Sequence, residues 1–136
     1  MPVELSHLMM LAIGTKPELK VGDLPRPVAE YLGCHPAVVF LGYKEFQKIA
    51  KKHDKIRREE FQTLPIMIKK GRYIKDAGRR NCVTVFYSDP DSGNIYTAGI
   101  KSACQGGEVW IQTFFRTTER KAENRERKHG LLHEGS

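Results

Sequence analysis

The sequence predicts an α+β domain in which a helical N-terminal half packs on a three- to four-stranded antiparallel sheet. Apolar residues recur at helical spacing in several segments between residues 27 and 70. From residue 82 the pattern changes to β-rich runs that are separated by turns. Helices and strands that are segregated along a chain in this way indicate an α+β fold, and 136 residues fit one such domain.

The N-terminal half is predicted to contain three helices and one strand. Proline in the first turn and glycine just past the end mark short helices over 27–32 and 65–70. Residues 43–52 carry one apolar stripe at helical spacing, and the helix that they form is expected to end at His53. The compact run of β-branched and aromatic residues over 37–41 predicts a buried strand.

The C-terminal half is predicted to form an antiparallel meander. Strands are expected over 82–87, 95–101 and 108–115, with 72–75 as a weaker fourth strand. The strong turn signal at 89–94 joins two of these strands as a hairpin. Strict alternation then places four residues of the last strand on one face: Val109, Ile111, Thr113 and Phe115.

Both ends of the chain are predicted to lie outside the sheet. Residues 1–26, which prolines and glycines interrupt, are interpreted as an arm or lead-in, and 131–136 as a tail. The domain then spans 27–130. Its last element is a helix rich in Glu, Lys and Arg, for which Thr117 or Thr118 is the candidate cap and which Gly130 ends, and its small apolar face predicts a solvated helix.

The composition favours an anionic partner. Lys and Arg outnumber Asp and Glu by 23 to 16, and the resulting net charge of +7 favours nucleic acid first, an anionic membrane surface second and an acidic protein third. No membrane segment is predicted, because the longest N-terminal apolar run is too short. Three cysteines without CxxC spacing favour reduced thiols in the cytoplasm over disulfides or a zinc site. No metal or cofactor is expected, since no nucleotide-loop or HExxH motif occurs.

Four residues are candidates for metal-free cleavage of RNA. His53 can move a proton near neutral pH, because the ordinary pKa of histidine lies there. Lys101 and Arg116 can stabilise charge on a phosphate, and Thr113 can donate a hydrogen bond to a non-bridging oxygen. Together such groups can promote attack of the RNA 2′-hydroxyl on the adjacent phosphate.

Four further residues are candidates for contacts with the substrate. Tyr87 and Tyr96 can stack on bases. Lys52 and Arg57 belong to a basic segment that can follow a phosphate backbone. Each has a structural alternative, because tyrosines often pair across strands and charged runs often form a solvated helix face.

Strand geometry raises an objection to a shared site. Thr113 and Arg116 are three positions apart, so a regular strand directs them to opposite faces. They can lie in one site only where the strand ends or bulges between them. Lys101 shares its predicted face with Thr97, and that face is expected to be partly open while the Ile100 face is core.

Residues 38–116 resemble the phage- and toxin-associated nuclease domains that are grouped with barnase, EndoU, the tRNA-cleaving colicins and the RelE-type toxins. The resemblance rests on the strand at 38–41, the helix ending in His53, Leu64-Pro65 with Gly71, the hairpin carrying Ile100-Lys101, and the strand end Thr113-Phe114-Phe115-Arg116. It implies a helical lobe on a four-stranded antiparallel sheet that presents a histidine with basic and hydroxyl residues to RNA. It gives the histidine role to His53, the strand-end cation to Lys101, the hydroxyl to Thr113 and the terminal arginine to Arg116. The chain departs from the pattern in lacking a glutamate at the place of barnase's base and a second histidine on the strands.

Three functions follow from these observations. The leading hypothesis is a metal-independent endoribonuclease, with tRNA as one candidate substrate, that leaves a 2′,3′-cyclic phosphate. The second is a nucleic-acid-binding domain without catalysis. The third is an interaction module of a phage particle or toxin whose basic face meets an acidic protein, such as an immunity protein or antitoxin. The expected location is the cytoplasm of a bacterial or phage-infected cell, or delivery as part of a larger toxin or phage protein.

Overall fold

A computed structural model describes residues 18–34, 37–52, 56–76, 78–79, 81–103 and 108–135, with the exception of the Arg58 side chain. Its seven strands are β1 (Glu18–Asp23), β2 (Val38–Gly42), β3 (Arg72–Lys75), β4 (Cys82–Ser88), β5 (Ile95–Ser102), β6 (Glu108–Thr117) and β7 (Leu131–Glu134). Its helices are α1 (Arg26–Leu32), α2 (Tyr43–Lys52), a 3₁₀ helix (Arg58–Thr63), α3 (Leu64–Lys70) and α4 (Glu119–His129).

The predicted fold class is wrong in the size and the type of the sheet. The strands form one sheet in the order β1-β2-β6-β5-β4-β3-β7, so the described part of the chain contains seven strands rather than three or four. The sheet is mixed rather than antiparallel, because β2 runs parallel to β6 with Val39 opposite Val109. The predicted meander is present as β3 to β6, which are antiparallel neighbours. The pairing of β2 with β6 joins this meander to strands from the N-terminal half.

Both end segments contribute edge strands. β1 falls within the predicted lead-in, 1–26, and pairs antiparallel with β2. β7 falls within the predicted tail, 131–136, and pairs antiparallel with β3. The N-terminal half is therefore not a separate helical layer, because β1 and β2 extend the same sheet that the C-terminal half begins.

The hydrophobic core lies on one face of the sheet, here named the inner face. Phe46 of α2 stacks on Phe61 of the 3₁₀ helix with ring centroids 4.7 Å apart, and Phe61 contacts Phe114 of β6 at 5.1 Å. Phe61 and Phe114 are almost completely buried. Since full burial of one such side chain contributes about 1.5–3 kcal/mol, this row of rings fixes the helices over the centre of the sheet.

The opposite face, here named the outer face, is partly covered by α4. Ala122 is fully buried and packs with Ile74 of β3 and Phe86 of β4. Thr118 caps the helix, because its side-chain oxygen accepts a hydrogen bond from the backbone N–H of Lys121 at 3.3 Å. α4 thus lies over β3 and β4, and the outer side chains of β5 and β6 border it.

A β-bulge in β6 changes which of its residues face the core. The pairing with β5 shifts between Ile111 and Thr113, so Gln112 is an extra residue without a partner. Ile111 and Phe114 are buried in the core, whereas Thr113 and Phe115 lie on the outer face. The prediction that the alternating residues 109, 111, 113 and 115 share one face is wrong, because the bulge interrupts the alternation.

The thiols and the helices bear on two further expectations. Cys34 and Cys82 are buried, and Cys104 lies outside the described residues. Among the helices that the structure describes, none is both long enough and apolar enough to cross a membrane.

Candidate nucleic-acid interface

Of the four residues predicted to form a catalytic site, the three that the structure describes do not lie on one face of the sheet. Thr113 and Lys101 lie on the outer face, and Lys101 is exposed at the end of β5. Arg116 lies on the inner side, where it contacts the 3₁₀ helix. The bulge precedes Thr113 and does not separate it from Arg116, so these two residues keep opposite directions. His53 lies outside the described residues.

Arg116 and Tyr96 hold a carboxylate of the 3₁₀ helix. Glu60 Oε1 accepts hydrogen bonds from the Tyr96 hydroxyl and from Arg116 Nε, both at 2.8 Å, and Glu60 Oε2 accepts one from the backbone N–H of Arg57 at 2.6 Å. Burial raises the pKa of Glu60, but these hydrogen bonds and the charge of Arg116 outweigh it, so the pKa lies below its ordinary value. The arginine predicted to bind phosphate and the tyrosine predicted to stack on a base thus tie β5 and β6 to the 3₁₀ helix.

Two of the other three predicted substrate-binding residues, Tyr87 and Arg57, adjoin this cluster. Tyr87 lies opposite Tyr96 and packs against the core. Burial raises the pKa of Tyr87, and two nearby carboxylates raise it further. Lys52 is exposed at the end of α2, and Arg57 is exposed just before the 3₁₀ helix.

A cleft with a volume of about 560 Å³ lies on the outer face, between α4 and strands β4 to β6. Its cationic side chains are Arg79, Lys121, Arg125 and Lys128, and its hydroxyl side chains are Thr84, Thr97, Thr113 and Thr117. The rings of Phe86 and Phe115 and the imidazole of His129 also line it. Of these residues, only Thr113 was expected at a site from the sequence.

Acidic and basic side chains are segregated around α4. Two stripes follow the i, i+4, i+7 spacing of one helix side: Glu119, Glu123 and Glu126 form the acidic stripe, and Lys121, Arg125 and Lys128 form the cationic stripe. Arg72 of β3 pairs with Glu119 at 3.1 Å and with Glu126 at 3.3 Å. Because these carboxylates are held over β3, the cationic stripe faces the cleft.

Two lysines of the cationic stripe, Lys121 and Lys128, keep charge that no carboxylate of the described residues pairs with. Arg79 Nε donates to Asp76 Oδ2 at 3.2 Å. Burial raises the pKa of Asp76, but a backbone amide and the nearby Arg79 and Arg125 outweigh it and hold the pKa below its ordinary value. Arg125 Nε is buried and has no hydrogen-bond partner among the residues that the structure describes. An anion in the cleft would supply the missing partners, which is favourable because a buried unpaired donor is costly.

The bulge of β6 presents the Thr113 hydroxyl to this cleft. Thr113 Oγ1 accepts a hydrogen bond from the backbone N–H of Gly99 at 3.0 Å. A Cβ on residue 99 would lie 2.7 Å from that oxygen, so the close approach requires glycine. The hydroxyl proton is not used in this contact and can be donated to a ligand.

The sequence contains a signal for the cleft in the order of charges over 119–128. Low apolar content alone predicts a solvated helix, yet the helix packs on the sheet through one small residue, Ala122, together with the pairs that Arg72 makes with Glu119 and Glu126. When Ala122 faces the sheet, the acidic stripe and the cationic stripe lie on opposite flanks of the helix. The histidine of the cleft, His129, carries no comparable signal, because its position depends on how α4 docks.

No group of three or more His, Cys, Asp or Glu side chains suited to a metal ion occurs within the part of the chain that the structure describes. Comparison with protein-family models, with curated proteins and with solved structures finds no match for this chain. The resemblance to nuclease domains therefore stays a prediction, and a function has to be argued from the chemistry of the cleft.

Proposed function

We propose that the protein binds RNA on its outer face, through a single-stranded segment. The observation that carries the proposal is the cleft in which the cationic stripe lies beside threonine hydroxyls and the Phe115 ring. Lysine and arginine neutralise backbone phosphates, and hydroxyl groups bond to phosphate and sugar oxygens. An aromatic ring accepts an unstacked base.

A single strand fits this arrangement better than a duplex. The aromatic surface lies between a helix and a sheet, so a base has to leave its stack to reach Phe115. Ribose adds a 2′-hydroxyl that both donates and accepts hydrogen bonds, which the threonine hydroxyls of the cleft complement. The net charge of +7 further favours approach of a polyanion.

Two double substitutions on the same helix test the proposal. In Lys121→Gln/Lys128→Gln the cleft loses two charges, whereas Arg120→Gln/Arg127→Gln removes the same net charge from exposed positions outside the cationic stripe. With about 0.7 counterions released per phosphate contact, the first variant should bind RNA roughly tenfold more weakly at 0.15 M salt. Its slope of log affinity against log salt should fall by about 1.4, and the control should keep most of the wild-type slope.

These outcomes separate the cleft from general charge. Fluorescence anisotropy of a labelled single-stranded RNA, measured over a salt series, gives both affinity and slope. An equal loss in the two variants would assign binding to net charge alone. Binding that does not depend on salt would contradict a phosphate interface.

A second candidate function is metal-independent cleavage of the bound RNA, and the position of His129 favours it. His129 lines the same cleft as Thr113 and the cationic stripe. A histidine can take the proton of the 2′-hydroxyl, whose oxygen bonds to phosphorus while the bond to the 5′-oxygen breaks and that oxygen takes up a proton. The product is a 2′,3′-cyclic phosphate. Cations beside the phosphate stabilise the charge that builds up on it.

Cleavage is tested in the presence of EDTA with analysis of the product ends. We expect His129→Gln to abolish cleavage with binding retained, and His133→Gln on β7 to serve as the unaffected control. His53→Ala is a third variant, since the resemblance assigns the histidine role to His53. Loss of cleavage in His53→Ala with full activity in His129→Gln would move that role to His53. Binding without any cleavage by the wild-type protein would leave only the first function.

An acidic protein is the alternative ligand for the cationic stripe. An immunity protein or antitoxin would place carboxylates against Lys121 and Lys128, and it would compete with RNA for the cleft. Competition that the Lys121→Gln/Lys128→Gln variant abolishes would identify such a partner. Under this proposal we expect the protein to meet its ligand in the cytoplasm of a bacterial or phage-infected cell.

A further inference from the structure

A second cavity lies beside Trp110, the single tryptophan of the chain. It has a volume of about 580 Å³ and lies where the end of β5, the middle of β6 and the junction of β2 with α2 meet. Gly42 and Tyr43 come from that junction, and Lys101 comes from β5. The cavity and the cleft have one lining residue in common, Gln112.

The indole of Trp110 is fixed on one side and open on another. Phe40 is the partner of Trp110 in the parallel pairing of β2 with β6, and their ring centroids are 5.3 Å apart at an interplanar angle of 34°. Gly42 lies two residues after Phe40 on β2 and has no side chain. A Cβ at this position would contact the six-membered ring of the indole at 3.7 Å. Glycine at this position therefore leaves part of the ring bordering the cavity.

Two polar side chains accompany the ring. Lys101 lies opposite Trp110 across β5 and β6 and is exposed. Gln112, the extra residue of the bulge, lines both the cavity and the cleft. Its amide can donate and accept hydrogen bonds at the edge of a base. A ring, an amide and a nearby cation are the groups that bind a base with its phosphate.

We propose that this cavity binds one nucleobase of the single-stranded RNA whose phosphates lie in the cleft. The inference rests on the proposed function and adds the base as a recognised unit. Trp110 and Thr113 are three residues apart on β6, a distance of about 10 Å along a strand, so one short oligonucleotide reaches both. Charge supports this occupant over an apolar one, because Lys44 and Lys101 outnumber Glu45 in the lining and Gln112 also borders the cleft that carries the cationic stripe.

The fluorescence of Trp110 provides a direct test in the full chain. An oligouridylate of about ten nucleotides should quench this fluorescence on binding. An abasic ribose-phosphate oligomer of equal length should bind through its phosphates and leave the fluorescence unchanged. The pair of ligands thus separates base contact from phosphate contact.

A cavity-filling substitution with a matched control locates the base. Gly42→Leu should occupy the space beside the indole and weaken oligouridylate binding by about tenfold, the effect of losing one stacked base, with abasic binding unchanged. Gly42→Ala should bind like the wild type, because its Cβ sits at ordinary contact distance. Trp110→Phe should retain more affinity than Trp110→Leu, since it keeps an aromatic ring, and this comparison holds even if Gly42→Leu does not fold.

The outcomes separate this inference from the proposed function. Unchanged Trp110 fluorescence at saturating oligouridylate, or equal affinities in Trp110→Phe and Trp110→Leu, would overturn the base site while salt-dependent binding in the cleft stands. If neither the oligouridylate nor the abasic oligomer binds the wild-type protein, the proposed function fails and this inference fails with it.

Discussion

Glu60 joins three elements through one carboxylate. It belongs to the 3₁₀ helix, and it accepts hydrogen bonds from Tyr96 of β5 and Arg116 of β6. The side chain of Glu60 is 11% exposed and that of Arg116 is 40% exposed, so solvent screens the pair in part. The lowered pKa of Glu60 shows that its ionised form is the one that the fold favours.

Stability should therefore depend on Glu60 in mild acid. Because the folded-state pKa is depressed, the stabilisation is complete above the ordinary value of 4.5 and is lost as the pH falls below it. Glu60→Gln should lower the free energy of unfolding at pH 7 by about 1–2 kcal/mol, near the lower end for hydrogen bonds to charged groups because of the screening. Urea unfolding across an acid series measures both effects.

The neighbouring carboxylate provides the control for this prediction. Glu59 lies in the same 3₁₀ helix and is exposed, so Glu59→Gln should change stability little. The decrease in the free energy of unfolding as the pH falls should become shallower in Glu60→Gln and should stay as steep as in the wild type in Glu59→Gln. Identical acid profiles in the two variants would show that Glu60 does not carry the effect.

At the scale of elements, α3 and β3 meet at Gly71 without a connecting loop. A Cβ on this residue would collide with the carbonyl oxygen of Met67 and with the side chain of Val85. The φ of Gly71 is −69°, which any residue adopts, so crowding rather than backbone conformation requires glycine here. The close approach brings the C-terminal end of α3 directly onto β4.

Gly71→Ala should consequently destabilise the protein by about 2 kcal/mol or more, because one colliding group is backbone and the other is a buried side chain. Gly33→Ala is the comparison: Gly33 has a φ of 71°, and no atom of the described residues lies within 4 Å of its added Cβ. Gly33→Ala should lower the free energy of unfolding by about 1 kcal/mol, because alanine is strained in the left-handed conformation. Thermal and denaturant unfolding measure both. A Gly71→Ala variant as stable as Gly33→Ala would refute the packing argument.

Local signals explain which elements the sequence predicts. The helix over Tyr43–Lys52 and the strand over Arg72–Lys75 have the predicted bounds. They could be predicted because an apolar stripe and a β-rich run with flanking breakers are properties of the local sequence. The strands at both ends are missed for the same reason. β1 contributes only two apolar residues with alternate spacing, and β7 has four residues after a charged helix. Their strand conformation depends on the partner strand.

At the scale of the whole molecule, the site depends on contacts that are distant in the chain. The parallel pairing of β2 with β6 brings Phe40 to Trp110, and no local pattern specifies that register. The bulge that directs Thr113 outward depends on the match between β5 and β6. The sequence therefore indicates a basic protein with an open sheet face, while the convergence of α4 with that face follows from tertiary packing.

The edge strand β7 anchors α4 at its C-terminal end and provides a test of this packing. The N–H of Lys75 in β3 donates to the carbonyl oxygen of Gly130 at 3.0 Å, and β7 then pairs with β3. Leu132 packs against the core, whereas Leu131 is 44% exposed. Leu132→Ala should lower the free energy of unfolding by about 1–3 kcal/mol, which is less than the loss for a fully buried leucine. Leu131→Ala should lower it by less than about 0.5 kcal/mol.

The same comparison should report on the cleft. Since β7 follows α4 directly, loosening β7 should increase amide hydrogen exchange in α4 and weaken RNA binding in Leu132→Ala, with Leu131→Ala unchanged in both. Exchange measured by mass spectrometry on peptides that cover 119–135 resolves the two segments. Faster exchange confined to β7, with α4 as protected as in the wild type, would mean that Ala122 and the pairs of Arg72 hold the helix without help from the edge strand.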